Sequence, residues 1–275
     1  MVALELACVA IVALYVVVRV RQDANPRAFL LRLLALAVGA WVGENTCIHA
    51  YHFYAYSPRW SLFVDQVPIL IVTIWPVVIH SAWDLARRLV SDPRRVPLVG
   101  GLIVLADASL IEPIAVQSSL WWWTEPGLFA VPPIGILGWA FFAGLALWTF
   151  ERPRLTPLAL FPIASGGVHL LLLATWWGAL RWVNGTIEPW PVVALAWALS
   201  LGLAARAWRN GSGARIPRAE LLLRIPAAGF FFVLLGIHGQ DVWALIAYAL
   251  AFAPPYLVLT WQSSRAAAAA RPAAA

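Results

Sequence analysis

Residues 97–118 read PLVGGLIVLADASLIEPIAVQS. As one helix this stretch is long enough to cross a hydrocarbon layer of roughly 30 Å, and no cation interrupts it. It also carries Asp107 and Glu112, acids that lipid excludes unless protein surrounds them. A segment of this kind belongs in a membrane, with its acids turned toward other helices.

Comparable apolar runs recur along the chain, at about 2–19, 28–50, 63–83, 134–150, 157–180, 190–208, 219–237 and 242–262. The eighth is interrupted by Arg224 and Pro226. The fold class that follows is all-α: a polytopic integral membrane bundle of about nine transmembrane helices. Composition agrees, because 62% of the 275 residues are hydrophobic and only 12% are charged. Mean hydropathy is +0.79, whereas a soluble domain is about half apolar and about a quarter charged. Residues 1–262 read as a single helical domain, and the alanine-rich stretch 263–275 as a disordered cytoplasmic tail. The first segment has no basic run before it and arginines after it, so it reads as a span rather than a cleaved leader.

The net charge of +6 could suggest a nucleic-acid partner, but the cations, all arginine, are placed otherwise. They concentrate in connections one, three, five and seven and in the tail, while the even connections hold only Arg59 and Arg181. That alternation follows the positive-inside rule, with the N-terminus outside and the C-terminus in the cytoplasm. No nucleic acid is expected, and the bilayer is expected to be a bacterial inner (cytoplasmic) membrane. Cys8 and Cys47, both in apolar runs, give neither a disulfide framework nor a CxxC metal motif. No internal repeat supports a transporter built from inverted halves.

Chemistry is sought in the polar residues that lipid should exclude. Seven residues separate Glu44 from Tyr51, which places the acid roughly 10 Å below the outer end of its helix. Glu112 precedes Trp121 by nine residues, roughly 13 Å if the helix continues. Asp65 begins the third span near the same face. Glu44, Glu112, Asp107 and Asp65 thus converge on the outer half of the bundle if spans two, three and four are neighbours. Any one of them could be structural glue, bonded to a helix or paired with an arginine; several in adjacent spans point to a site. Carboxyl groups removed from water favour their neutral form, and a neutral carboxylic acid in an apolar pocket is the group that can protonate a carbon–carbon double bond.

Aromatic content points the same way. Of seventeen tryptophans, Trp60, Trp121, Trp182 and Trp190 lie at span ends and read as interface anchors. Trp41, Trp75, Trp139, Trp148, Trp197 and Trp243 lie deeper, where ring faces can line a pocket and stabilise a carbocation. The five histidines lack the clustered HxxxH and HxxHH pattern of a membrane di-iron site, and only a chosen arrangement would pair His80 with His169 around haem. There is no P-loop, GxSxG, HExxH or NDxxD, so diphosphate chemistry is disfavoured and a neutral hydrocarbon substrate favoured. No metal and no cofactor is expected.

The run Leu110-Ile111-Glu112-Pro113-Ile114-Ala115, followed by Leu120-Trp121-Trp122-Trp123, the segment Pro126 to Pro132, and Gly138-Trp139, resembles the CruF-like carotenoid biosynthesis proteins. That family carries an acidic-Pro step, a Trp-x-Trp, a Gly-Val-Pro and a terminal Gly-Trp in this order. Upstream, Glu44, Tyr54-Ala55-Tyr56, Val67-Pro68 and Trp75 fall in the family's order and approximate spacing, and Asp107 matches an acidic position before the acidic-Pro step. The resemblance covers about residues 40 to 150. It implies a carotenoid hydratase, which adds water across the terminal double bond of an acyclic end group to leave a tertiary alcohol.

Two departures stand out. Glu112 occupies the position where the family usually has Asp, and Gly135 and Ile136 replace an Asn-Phe pair. If that Asn holds the attacking water, the alternative is a membrane terpene cyclase that protonates an isoprenoid and lets an internal alkene capture the cation. The expected catalytic residues are Glu44, Glu112, Asp107 and Asp65. Trp41, Tyr54, Tyr56, Trp75, Trp123, Phe129 and Trp139 are the expected contacts to a polyene or polyprenyl chain drawn from membrane lipid. A carrier of a small solute or proton is the reading from another class, and would use the carboxyls as a relay.

Overall fold

The computed structural model describes residues 1–210 and 216–269. Among these, nine helical stretches are long and apolar enough to cross a membrane, from Val2–Gln22 to Trp243–Gln262. Their exposed faces are greasy, as a lipid solvent requires. Leu195, Leu199 and Leu203, spaced one turn apart, are each more than half exposed. The polytopic all-α bundle follows directly from the hydropathy of the chain.

The helices α1 (Val2–Gln22), α2 (Pro26–Tyr51), α3 (Ile69–Leu89), α4 (Val96–Gln117) and α5 (Pro133–Phe150) form the first half of the bundle. Helix α4 packs most extensively on α5. The approach is close because both surfaces carry glycine: a Cβ on Gly101 would lie 3.2 Å from the Ala140 carbonyl and 3.5 Å from Gly144 Cα. Small residues of this kind let membrane helices meet where no hydrophobic force drives them together.

The sixth span passes through a π-helical turn, Phe161–Ser165, before α6 (Gly166–Gly178). Pro162 has no N–H to give the helical ladder there, and Ser165 Oγ bonds back to the Gly39 carbonyl of α2 at 2.8 Å. Helix α7 (Pro189–Asn210) packs on the pair α9 (Trp243–Leu250) and α10 (Ala253–Ala269), which together make the last span, and α8 (Arg218–His238) lies against α1. Helix α10 runs into the stretch expected to be disordered from residue 263, since its alanines favour helix; residues 270–275 lie outside those described.

Two expectations about the ends of the spans are corrected. The third helix starts at Ile69, not at 63, because β2 (Phe63–Val64) and β3 (Val67–Pro68) form a small hairpin ahead of it. Asp65 sits in that turn at φ 54°, a left-handed conformation that Asp tolerates better than most residues. The fourth helix stops at Gln117 rather than continuing to the tryptophans. Ser119 turns left-handed at φ 54°, and Trp121–Trp123 become β4, which pairs antiparallel with β1 (Tyr54–Tyr56).

Away from this ribbon, a buried polar network fastens α8 and α10 to the rest of the bundle. Arg224 Nη1 donates to both Asp107 oxygens at 2.9 and 3.1 Å, and its Nε donates to Ser81 Oγ at 3.0 Å. Tyr256 joins at 3.0 Å. Ser81 in turn donates to the fully buried Glu220, and Arg19 meets Asp84 at 2.5 Å. Removing one partner of a buried pair strands the other charge, at a cost of about 3 kcal/mol or more. Arg224→Met is therefore expected to lower the thermal unfolding midpoint in detergent sharply, and Arg224→Met combined with Asp107→Asn to recover part of the loss. Equal midpoints for wild type and the single variant would show that the pair does not stabilise the fold.

Candidate active site

The ribbon positions the acids. Strand residues alternate faces, and the register Tyr54↔Trp123, Ala55↔Trp122, Tyr56↔Trp121 puts two tyrosines and two tryptophans on one side. The middle residue, Trp122, is turned outward and 47% exposed. Trp121 is buried, which corrects its reading as an interface anchor. Trp60 is likewise buried, giving its N–H to the Leu120 carbonyl at 3.0 Å. Trp182 and Trp190 are well exposed. Among the tryptophans read as interior, Trp148 is 39% and Trp243 72% exposed.

Each half of the ribbon holds one carboxyl. Tyr54 Oη, at 3.4 Å, and Tyr56 Oη both donate to Glu44 Oε2 on α2. Glu44 is buried, and its Oε1 has no hydrogen-bond partner among the described residues. Glu112 on α4 is held differently. Trp121 Nε1 donates to Oε2 at 2.8 Å and Trp123 Nε1 to the same oxygen at 3.2 Å, while Trp139 Nε1 from α5 donates to Oε1 at 3.2 Å. An indole N–H can only donate, so this cradle suits a carboxylate. Trp139 is fixed by stacking on Trp75 of α3, with ring centroids 3.6 Å apart and planes 17° from parallel.

Glu44 and Glu112 line one cleft of about 650 Å³. Its walls are mainly aromatic, from Phe53, Tyr54, Tyr56, Trp75, Trp121, Trp123, Trp139 and Phe142, completed by small or aliphatic residues such as Ala40, Gly43, Gly138, Val168 and Leu172. Gly135 also lines it, and a Cβ there would lie 2.6 Å from the Trp123 ring. The indole thus occupies the space a larger side chain at 135 would need.

Of the residues expected at the site, Glu44, Glu112, Tyr54, Tyr56, Trp75, Trp123 and Trp139 come together in the cleft. Asp107 is not in its lining and pairs with Arg224 instead. Asp65 lies in the outlying hairpin turn, accepting from Asn45 Nδ2 at 2.8 Å and meeting His49 Nε2 at 2.6 Å. Those hydrogen bonds hold its carboxyl below the usual range. Trp41 gives its N–H to the Val64 carbonyl at 3.0 Å and Phe129 packs on Tyr248; neither lines the cleft. Sequence reasoning missed Phe53, Phe142, Cys47 and the inward turn of Trp121. The two-residue alternation in Tyr-Ala-Tyr and Trp-Trp-Trp was the available signal for the last. His80 is packed against Phe29 and Trp83, and His169 is bonded to Thr46 and Tyr51.

The family model described as carotenoid biosynthesis protein matches residues 1–203. That segment contains both carboxyls, the ribbon and every residue lining the cleft. No curated protein and no solved structure matches the chain. With most of its length matched, including the entire aromatic cleft, the chain belongs to the carotenoid biosynthesis protein family and has a role in carotenoid biosynthesis.

Proposed function

We propose that the protein is an intramembrane hydratase that adds water to the terminal trisubstituted alkene of an acyclic carotenoid. The observation that carries this reading is the pairing, in one aromatic cleft, of a carboxyl with a free buried oxygen and a carboxyl held by three donors. With its proton on Oε1, Glu44 can keep both tyrosine bonds on Oε2 and aim its O–H at the alkene. Proton transfer forms a C–H bond from the alkene π electrons and leaves a tertiary cation. The Glu112 carboxylate stabilises that charge, and ring faces add about 0.5–2 kcal/mol each. Water oxygen bonds to the cation, the oxonium proton passes to Glu112, and relay through water returns it to Glu44. Net addition is one water.

Cyclisation is the second reading, and Gly135 favours it. The Trp123 ring fills the space beside this residue, leaving no amide there to hold water. In that case an internal alkene captures the cation, and loss of a proton from a neighbouring carbon to Glu112 closes the cycle without change of mass. Expression in a bacterium that accumulates lycopene, followed by mass spectrometry, separates the two. A gain of 18 mass units, one water, is the expected result; an isomer would assign cyclisation, and unchanged lycopene would overturn both.

A further inference from the structure

A second, smaller cavity lies beside the acid cleft. Trp75 and Trp121 line both. Its remaining walls are apolar and come mainly from four helices: Leu4 and Cys8 on α1, Ile71 and Ile74 on α3, Ile111 on α4, and Phe230 and Phe231 on α8. The N–H groups of Trp60 and Trp121, also in its lining, are already given to the Leu120 carbonyl and to Glu112. A cavity of this composition has nothing to offer water or a polar ligand and suits a hydrocarbon.

Resting on the reading above, we infer that this cavity seats the continuation of the polyene whose end group lies between Glu44 and Glu112. One observation selects the polyene over a lipid acyl chain. The cavity abuts the cleft through the two tryptophans that anchor the acid site, Trp121 by its bond to Glu112 and Trp75 by its stack on Trp139. A long rod reacting at one end needs apolar space beyond the reacting bond, and this cavity shares two wall residues with the cleft. Phe230 and Phe231, the lining residues on α8, lie beyond the matched segment 1–203. Helix α8 then sets how long a chain is accepted, independently of the acids that act on its end.

The test compares the full chain in detergent on two acyclic polyenes with the same end group, one long and one truncated. Cys8→Phe fills the cavity and Phe231→Ala enlarges it, and neither touches the acid cleft. Filling is expected to lower kcat/KM for the long polyene about ten-fold, within the usual range for crowding an apolar pocket, while leaving the short one unchanged. Enlarging is expected to leave the short one unchanged and to raise the relative rate on chains longer than the natural one. Equal losses on both substrates, or no loss on either, would overturn the inference while leaving the hydratase reading intact, as would displacement of a photoreactive phospholipid, but not of the polyene, by filling the cavity. If wild type converts neither polyene, the reading of the acid site fails and takes the inference with it.

Discussion

Glu44→Gln is expected to lower turnover roughly a thousand-fold or more, within the range assigned to a positioned general acid, while the protein still folds and inserts. The amide is nearly isosteric, and its carbonyl oxygen can go on accepting from Tyr54 and Tyr56. What disappears is the acidic proton on the oxygen that has no partner among the described residues. An amide N–H cannot protonate an alkene. Glu44→Asp keeps an acid but shortens its reach, so partial activity is expected. Product formation by mass spectrometry, with size-exclusion profiles to confirm folding, reads the result. Full activity in the glutamine variant would remove Glu44 from the mechanism.

Glu112→Gln should lose both activity and stability, and the two losses should separate. A glutamine presents one oxygen and one NH2 where the carboxylate presents two acceptors. Three indole donors surround this position. If the amide oxygen faces Trp121 and Trp123, the NH2 confronts the Trp139 N–H; the opposite orientation strands two indoles. One buried unsatisfied donor costs about 1–3 kcal/mol. Loss of the anion proposed to stabilise the cation is expected to cost roughly a hundred- to a thousand-fold in rate, the scale seen when preorganised charge stabilisation is removed. Trp139→Phe in the glutamine background removes the stranded donor. It should restore part of the unfolding midpoint but none of the turnover. Recovery of activity with stability would show that Glu112 only supports the fold.

The particular residues show where sequence was informative. Glu44 and Glu112 stand out because each interrupts an apolar run with a group that hydrocarbon rejects, and both lie in the cleft. The same signal marks Asp107, and there it identifies an ion pair: Arg224, 117 residues away, fastens α8 to α4. Hydropathy reports that a charge must be answered, not by what. Both Trp121 and Trp190 sit at span ends in sequence. A three-residue strand pairing turns one inward onto Glu112, while the other remains more than half exposed. Strands this short have too few residues for their alternation to be distinguished from loop.

By itself the sequence determined that the chain lives in a membrane, how many times it can cross, and which acids would need an explanation. These are sums over neighbouring residues, because each span must satisfy its own backbone and present its own apolar surface to lipid. Only the tertiary structure decided that Glu44 ends with a free oxygen, that Glu112 is held by three indoles from α5 and β4, and that Asp107 belongs to an arginine. Hydrogen bonds across helices depend on relative rotation and depth, and no local sum of hydropathy contains either.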